Sequence, residues 1–97
     1  MRSVTHPLPE LVLYTRDGCH LCDEARAIAQ GLLEDRAARA QPLAALVERD
    51  IASNPEWELA YFDRIPVVEL RGRRLDLALS RAKLRAFLAE ALDGSLV

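Results

Sequence analysis

The sequence predicts an α/β fold, a mixed four-stranded sheet flanked by helices in the order β-α-β-α-β-β-α. Three observations carry that expectation. Leu11-Val12-Leu13-Tyr14-Thr15 is a short apolar run broken by Asp17-Gly18, and a stripe of helical period follows it directly. Pro66 stands before a second apolar run, Val67-Val68-Glu69-Leu70. Arg71-Gly72 then supplies a two-residue hairpin turn, with glycine taking the positive φ.

Taken in order, residues 1–10 contain Pro7 and Pro9, show no periodicity and read as a flexible tail, with His6 as a solvated side chain. The domain is expected over residues 11–93. Its first strand is the Leu11–Thr15 run. A helix is expected from Cys22 to about Arg39, because Ala25, Ile28, Ala29, Leu32 and Leu33 fall at i, i+3, i+4, i+7 and i+8. Asp23, Glu24, Arg26, Gln30, Glu34 and Asp35 take the other faces. Gly31 weakens this helix by ~1 kcal/mol relative to alanine, and Gln41-Pro42 closes it.

The second strand is expected at Leu46–Asp50. Ser53-Asn54-Pro55-Glu56 combines a cap, a proline for the first helical position and an acid, which marks a short helix from Pro55 to about Phe62. Trp57, Ala60 and Tyr61 share one face of it, and their helical spacing favours core packing. Val67–Leu70 is the third strand, and proline at a strand entrance is tolerated. Arg73-Arg74-Leu75 returns beside it. Ser80 caps a last helix with the stripe Leu84, Phe87, Leu88 and Ala91, and Gly94 stops it. The first β-α-β unit is then a right-handed crossover with parallel strands, and the hairpin pair is antiparallel.

Composition narrows the function classes. The chain has 97 residues, 51 % hydrophobic and 29 % charged, which is enough for one domain with its own core. A formal net charge of −2 argues against a general nucleic-acid binder. Arg71, Arg73 and Arg74 are better suited to protecting a sheet edge. No run approaches the ~18 apolar residues of a membrane span, and Leu11–Tyr14 is too short for a signal-peptide core of about 7–15 residues. The expected location is therefore cytoplasmic, where a structural disulfide is unusual.

That makes the pair Cys19-His20-Leu21-Cys22 the informative feature. Residues three apart at a helix start lie about 5–6 Å apart, within the Cα range of an unstrained disulfide. Closing so short a loop constrains the unfolded chain by only about 2 kcal/mol in the loop-entropy model. The pair is a poor staple and a good switch. Cys19 is at the helix N-terminus, where unpaired N–H groups and the dipole favour its thiolate, the nucleophilic form. Cys22 is one turn further in and more shielded. Cys19 is thus expected to attack a substrate disulfide and Cys22 to resolve the mixed disulfide. Arg16 and protonated His20 favour the thiolate, and Asp23 and Glu24 oppose it. His20 is either a local modulator of the thiols or simply solvated. For Pro66, spacing alone favours an ordinary trans bond, since only ~5–6 % of X–Pro bonds in folded proteins are cis.

These residues together resemble the glutaredoxin-like branch of the thioredoxin fold. The similarity runs through Leu13-Tyr14-Thr15-Arg16-Asp17-Gly18-Cys19-His20-Leu21-Cys22, then Asp50-Ile51, Asn54-Pro55-Glu56 and Ile65-Pro66-Val67, covering roughly residues 11–92. The resemblance implies that Cys19 is the nucleophile and Cys22 the resolving thiol. It also implies that Pro66 is cis against the cysteine pair, with the Ile65 backbone on the substrate. Arg16 occupies the place of the basic residue that meets a glutathione carboxylate, and Arg16, His20, Ile65 and Pro66 are the expected substrate-binding residues.

The departures are His20-Leu21 in place of proline and an aromatic, and Leu75-Asp76-Leu77-Ala78-Leu79-Ser80 where a Gly-Gly pair and an acid hold the glutamyl end of glutathione. The chain looks most like small bacterial glutaredoxin-like proteins that lack the full glutathione site.

The expected function is a dithiol–disulfide oxidoreductase acting on protein or low-molecular-weight disulfides. The chain is expected to be a monomer with no cofactor and no metal, and glutathione enters at most as a weakly required co-substrate. A second reading is a metal or iron–sulfur carrier. One chain offers two thiolates, short of the four ligands of a closed site, but a dimer sharing two Cys19–Cys22 pairs supplies four.

Overall fold

β1 (Glu10–Thr15) is the strand around which the other elements assemble. The structure, a computed structural model, describes residues 8–94. β1 is followed by α1 (His20–Ala38), β2 (Ala45–Asp50), a single 3-10 turn (Ile51–Ser53), α2 (Pro55–Tyr61), β3 (Val67–Leu70), β4 (Arg73–Leu75) and α3 (Arg81–Leu92). The sheet order is β2-β1-β3-β4, with β1 parallel to β2 and antiparallel to β3, and β3 antiparallel to β4. This is the mixed four-stranded α/β sheet that the period switches predict. His6 and most of the expected tail lie outside the described residues. Glu10 belongs to β1, and the Pro9 carbonyl accepts from Ala45 N at 2.9 Å.

The alternation of β1 divides the core into two layers. Leu11 and Leu13 face α1 and α3, packing with Ala25, Ala29, Leu32, Val68, Leu70, Leu84 and Leu88. Val12 and Tyr14 face the other way, packing with Ile51, Tyr61 and Val67 beneath α2, where Trp57 and Ile65 close the edge. Tyr61 is buried in this layer and Trp57, partly buried, packs against it, in line with the packing their spacing predicts. Ala60, expected on the same face, is exposed, because a seven-residue helix covers only the width of two aromatic rings. Tyr14 stands edge-on to Trp57 with centroids 5.7 Å apart and lies 4.5 Å from Tyr61.

Caps set the helix ends. Cys19 is the N-cap of α1, so that helix begins two residues before the expected start at Cys22. Asn54, with its side chain accepting from Glu56 N at 2.9 Å, caps α2, and Ser80 caps α3 by accepting from Lys83 N at 3.2 Å. The C-terminus of α1 is closed by a Schellman arrangement rather than by Pro42. Gln41 N donates to the Arg36 carbonyl at 2.9 Å and Ala40 N to that of Ala37 at 3.1 Å, with Ala40 at φ 55°. An alanine in this left-handed position gives no sequence signal. Arg71 (φ 51°) and Gly72 (φ 80°) form the hairpin turn as expected. The three arginines at that turn are dispersed: Arg71 donates to the Ala91 carbonyl, Arg73 meets Glu90, and Arg74 meets Asp76. No helix among the described residues is long and apolar enough to cross a membrane.

Two polar groups sit inside this packing. The Arg36 side chain, 9 % exposed, donates through Nε to the Pro42 carbonyl at 2.7 Å and through Nη2 to Asp93, tying α1 to the end of α3. A cleft of ≈ 360 Å³ opens here, lined by Leu32, Arg36, Arg39, Arg85, Leu88 and Asp93. It lies at the opposite end of α1 from Cys19, and its arginines offset the negative ends of two helices. The Tyr14 hydroxyl donates to Glu69 Oε1 at 3.0 Å and accepts from Arg49 Nη1 at 3.4 Å. Burial first, and the Glu69 carboxylate second, push the Tyr14 phenol above its ordinary value.

Arg36→Ala should lower stability in urea unfolding by about 2–3 kcal/mol, since it removes two charge-assisted bonds and a buried stem. Arg36→Met keeps the stem and should lose only ~1–2 kcal/mol; equal losses would show that the stem contributes nothing. Because the folded protein favours the neutral phenol, the stability contributed by Tyr14 is complete below the usual phenol value near 10 and is lost as pH rises through the higher folded value. Tyr14→Phe should therefore flatten the alkaline limb of stability against pH above the ordinary phenol value of about 10, and a limb of unchanged slope would contradict this origin.

Candidate functional site

The site is built where β1 runs out. Past Thr15 the chain turns through Arg16, Asp17 and Gly18, the last at φ 74°, and Cys19 N donates back to the Arg16 carbonyl at 3.3 Å. Cys19 then caps α1 with extended backbone (φ −93°, ψ 102°), and its Sγ accepts from Cys22 N at 3.1 Å. The cap role that serine or asparagine usually fills is therefore taken by a sulfur. Cys19 and Cys22 are disulfide-bonded with Cα atoms 5.2 Å apart. Cys19 is half-buried, whereas Cys22 is 1 % exposed. The inequality read from sequence is present as a difference in access. His20 and Leu21, between them, are both exposed.

Ile65-Pro66 approaches from β3. Tyr14 pairs with Val67, so continuing the antiparallel register places Arg16 level with Ile65, at the same end of the sheet as Cys19. The Ile65–Pro66 bond is cis, Pro66 is fully buried and Ile65 is half-buried. The Ile65 amide donates to the Tyr61 carbonyl at 3.2 Å, and the Pro66 carbonyl accepts from Ala78 N at 2.8 Å.

Several of the charges around this end are paired with one another. Asp23, expected to oppose a Cys19 thiolate, is held by Arg26 Nη1 at 2.9 Å. Arg26 also grips Glu48 of β2 through Nε at 2.6 Å and Nη2 at 2.8 Å. Glu48 foremost, with Asp23, holds that guanidinium above its ordinary value. Arg16 Nη2 pairs with Glu58 of α2.

The segment after β4 is likewise closed. Leu77 N donates to the Arg64 carbonyl at 3.0 Å, Ala78 N to Pro66 and Leu79 N to Leu77 at 2.7 Å. Asp76 lies 3.2 Å from Arg64 Nη1 and 3.0 Å from Arg74 Nε. Leu77, at φ 50°, is 55 % exposed. Among the described residues no group of three or more His, Cys, Asp or Glu converges to hold a metal ion.

Sequence reasoning named Arg16, Cys19, His20, Cys22, Ile65 and Pro66. The structure places all six at the site end of β1 and β3: Arg16 and Cys19 on the loop after β1, His20 and Cys22 in the first turn of α1, and Ile65 and Pro66 at the entrance to β3. It adds Glu58, Arg26 and Leu77, which sequence reasoning missed. Glu58 is 42 residues from its partner, and nothing in its own helix distinguishes it from Glu56.

The chain is similar to two solved structures of small proteins. One is the X-ray structure of a structural-genomics target, XcR50 from X. campestris, with 35 % identity and TM-score 0.66 over 84 % of this chain and 97 % of that one. The other is the solution NMR structure of Ne2328 from Nitrosomonas europaea, with 28 % identity and TM-score 0.65 over 90 % of this chain and 98 % of that one. No curated protein sequence matches. The family model described as Glutaredoxin-like domain (DUF836) matches residues 10–89, which takes in every element from β1 into α3 together with the Cys19–Cys22 pair, and the chain belongs to that family.

Proposed function

We propose that the chain is a dithiol–disulfide oxidoreductase in which Cys19 attacks and Cys22 resolves. The observation that carries this reading is the unequal access of two sulfurs already bonded to each other at the first turn of α1, one half-buried and one 1 % exposed. The reduced Cys19 thiolate attacks one sulfur of the substrate disulfide, forming a mixed disulfide and releasing the other sulfur as a thiolate. The Cys22 thiolate then attacks Cys19 Sγ, releasing the second substrate thiolate and leaving the Cys19–Cys22 disulfide. An external thiol or dithiol reductant returns the pair to the reduced form. The N-terminal amides of α1 and the Cys22 N–H supply the positive environment that lowers a thiol pKa. A reducing compartment such as the cytoplasm suits a pair that must begin each cycle as a dithiol.

A substrate segment lying along Ile65 has that residue's carbonyl to pair with, because its amide is committed to Tyr61. Glutathione is a weak co-substrate in this reading. The amides of residues 77–79 bond within the chain, and Asp76 is flanked by two arginines with its Oδ1 buried, which leaves few groups to receive a glutamyl moiety.

In cell extract, Cys22→Ser should accumulate stoichiometric mixed disulfides on Cys19, read by mass spectrometry, and Cys19→Ser should accumulate none. Equal trapping by the two variants would overturn the assignment of roles. Turnover of a protein disulfide should exceed glutathione-driven turnover of a glutathionylated peptide; the reverse order would remove the specificity argued from residues 76–79.

A further inference from the structure

Among the described residues, Arg16, Arg26 and Arg64 are each held by a carboxylate of the same chain, and the pair nearest Cys19 is the informative one. Arg16 lies three residues before Cys19, and its carbonyl accepts the Cys19 amide at 3.3 Å, so both belong to one turn. Its Nη2 is held by Glu58 Oε2, from α2. Glu58 is favoured where it stands: it is in the first turn of α2, behind the Asn54 cap, at the positive end of that helix. The other cations nearby are occupied too, Arg26 by Glu48 and Asp23, and Arg64 by Asp76 and Asp63. A substrate carboxylate arriving beside Cys19 thus finds its cation already neutralised.

We propose that Glu58 is a positioning residue that sets substrate specificity, holding Arg16 away from substrate carboxylates and biasing the site against anionic low-molecular-weight disulfides such as those of glutathione. The proposal rests on the dithiol reading above and names the charge class that the site prefers. The side chains of Arg16 and Glu58 are 41 % and 43 % exposed, so the pair is solvated and open to competition. The bias is therefore graded: a carboxylate must displace Glu58, and it pays a few-fold in affinity to do so. Removing the Glu58 charge frees Arg16 for the substrate without touching either sulfur.

The test uses the full chain, fully reduced, mixed with excess of one peptide carrying either a glutathione or a cysteamine mixed disulfide. The two adducts present the same peptide disulfide and differ at the leaving thiol, which is anionic overall in one and cationic in the other. In Glu58→Gln the half-saturating concentration for the glutathione adduct should fall about two- to five-fold, the range of an exposed ion pair. Rates are compared at a pH where they no longer rise with pH, so that the unmasked Arg16 cannot add thiolate; there the limiting rate should stay unchanged, and the cysteamine adduct should not improve. The gain should vanish in Arg16→Gln/Glu58→Gln and shrink in 0.5 M salt, with ~4–5 Å of screening length. A parallel shift for both adducts, or a gain that persists without Arg16, overturns the role of Glu58 while leaving the dithiol reading intact. A wild-type protein that reduces a protein disulfide but neither adduct overturns the graded bias proposed here, and one that reduces neither the adducts nor a protein disulfide overturns the dithiol reading with it.

Discussion

β1 is buried on both faces, and each of its faces recruits a different part of the chain. Leu11 and Leu13 are fully buried against α1 and α3, and Val12 and Tyr14 are almost as deeply buried under α2. Burial of this kind stabilises by about 1.5–3 kcal/mol per large side chain. Its larger consequence is positional. A slip of one residue would exchange Leu13 and Tyr14 between layers, forcing the phenol among the aliphatic contacts of α1 and α3 and away from Glu69. The register with β2 and β3 is therefore strongly specified. The residue at which β1 ends, and so the place where Arg16 and Cys19 emerge, is specified with it.

That dependence also accounts for what could be read in the amino-acid string. The element order was legible because each boundary carries a local signal: Asp17-Gly18 after β1, Asn54-Pro55 before α2, Arg71-Gly72 between β3 and β4, and Ser80 before α3. The two sulfurs were legible for the same reason, since their inequality follows from a one-turn offset at a helix start. Boundaries without local chemistry were not. Ala40 ends α1 in a left-handed conformation that glycine would announce and alanine does not. Cys19 caps α1 with a sulfur, which carries none of the usual cap signature, and the apolar stripe alone points to a start at Cys22. The ion pairs were invisible because nothing in the spacing of Arg16 and Glu58, or of Arg36 and Asp93, relates residues that only the folded chain brings together.

Those long-range pairs decide how the site can work. Asp23 sits in the first turn of α1, where its charge would raise the cost of a Cys19 thiolate, and Arg26 takes that charge up and fixes it to Glu48 on β2. Arg16, which would lower the same cost, is answered by Glu58. The side-chain charges near the Cys19 sulfur pull both ways, with Asp17 and Glu24 outside the ion pairs, whereas the backbone pulls one way: the open N-terminal amides of a 19-residue helix and the Cys22 N–H at 3.1 Å. Backbone donors differ from exposed ion pairs in two ways that matter here. They are fixed by the helix and cost no side-chain entropy to hold, and no arriving carboxylate or salt ion can swap their partners as it can swap the partner of Arg16. Activation of the nucleophile therefore resides in the part of the site that β1 and α1 hold rigid, whereas choice of substrate resides in a solvated pair on its rim. Substitution of Glu58 leaves the backbone donors of the first turn of α1 as they are and changes at the sulfur only the field of a solvated arginine.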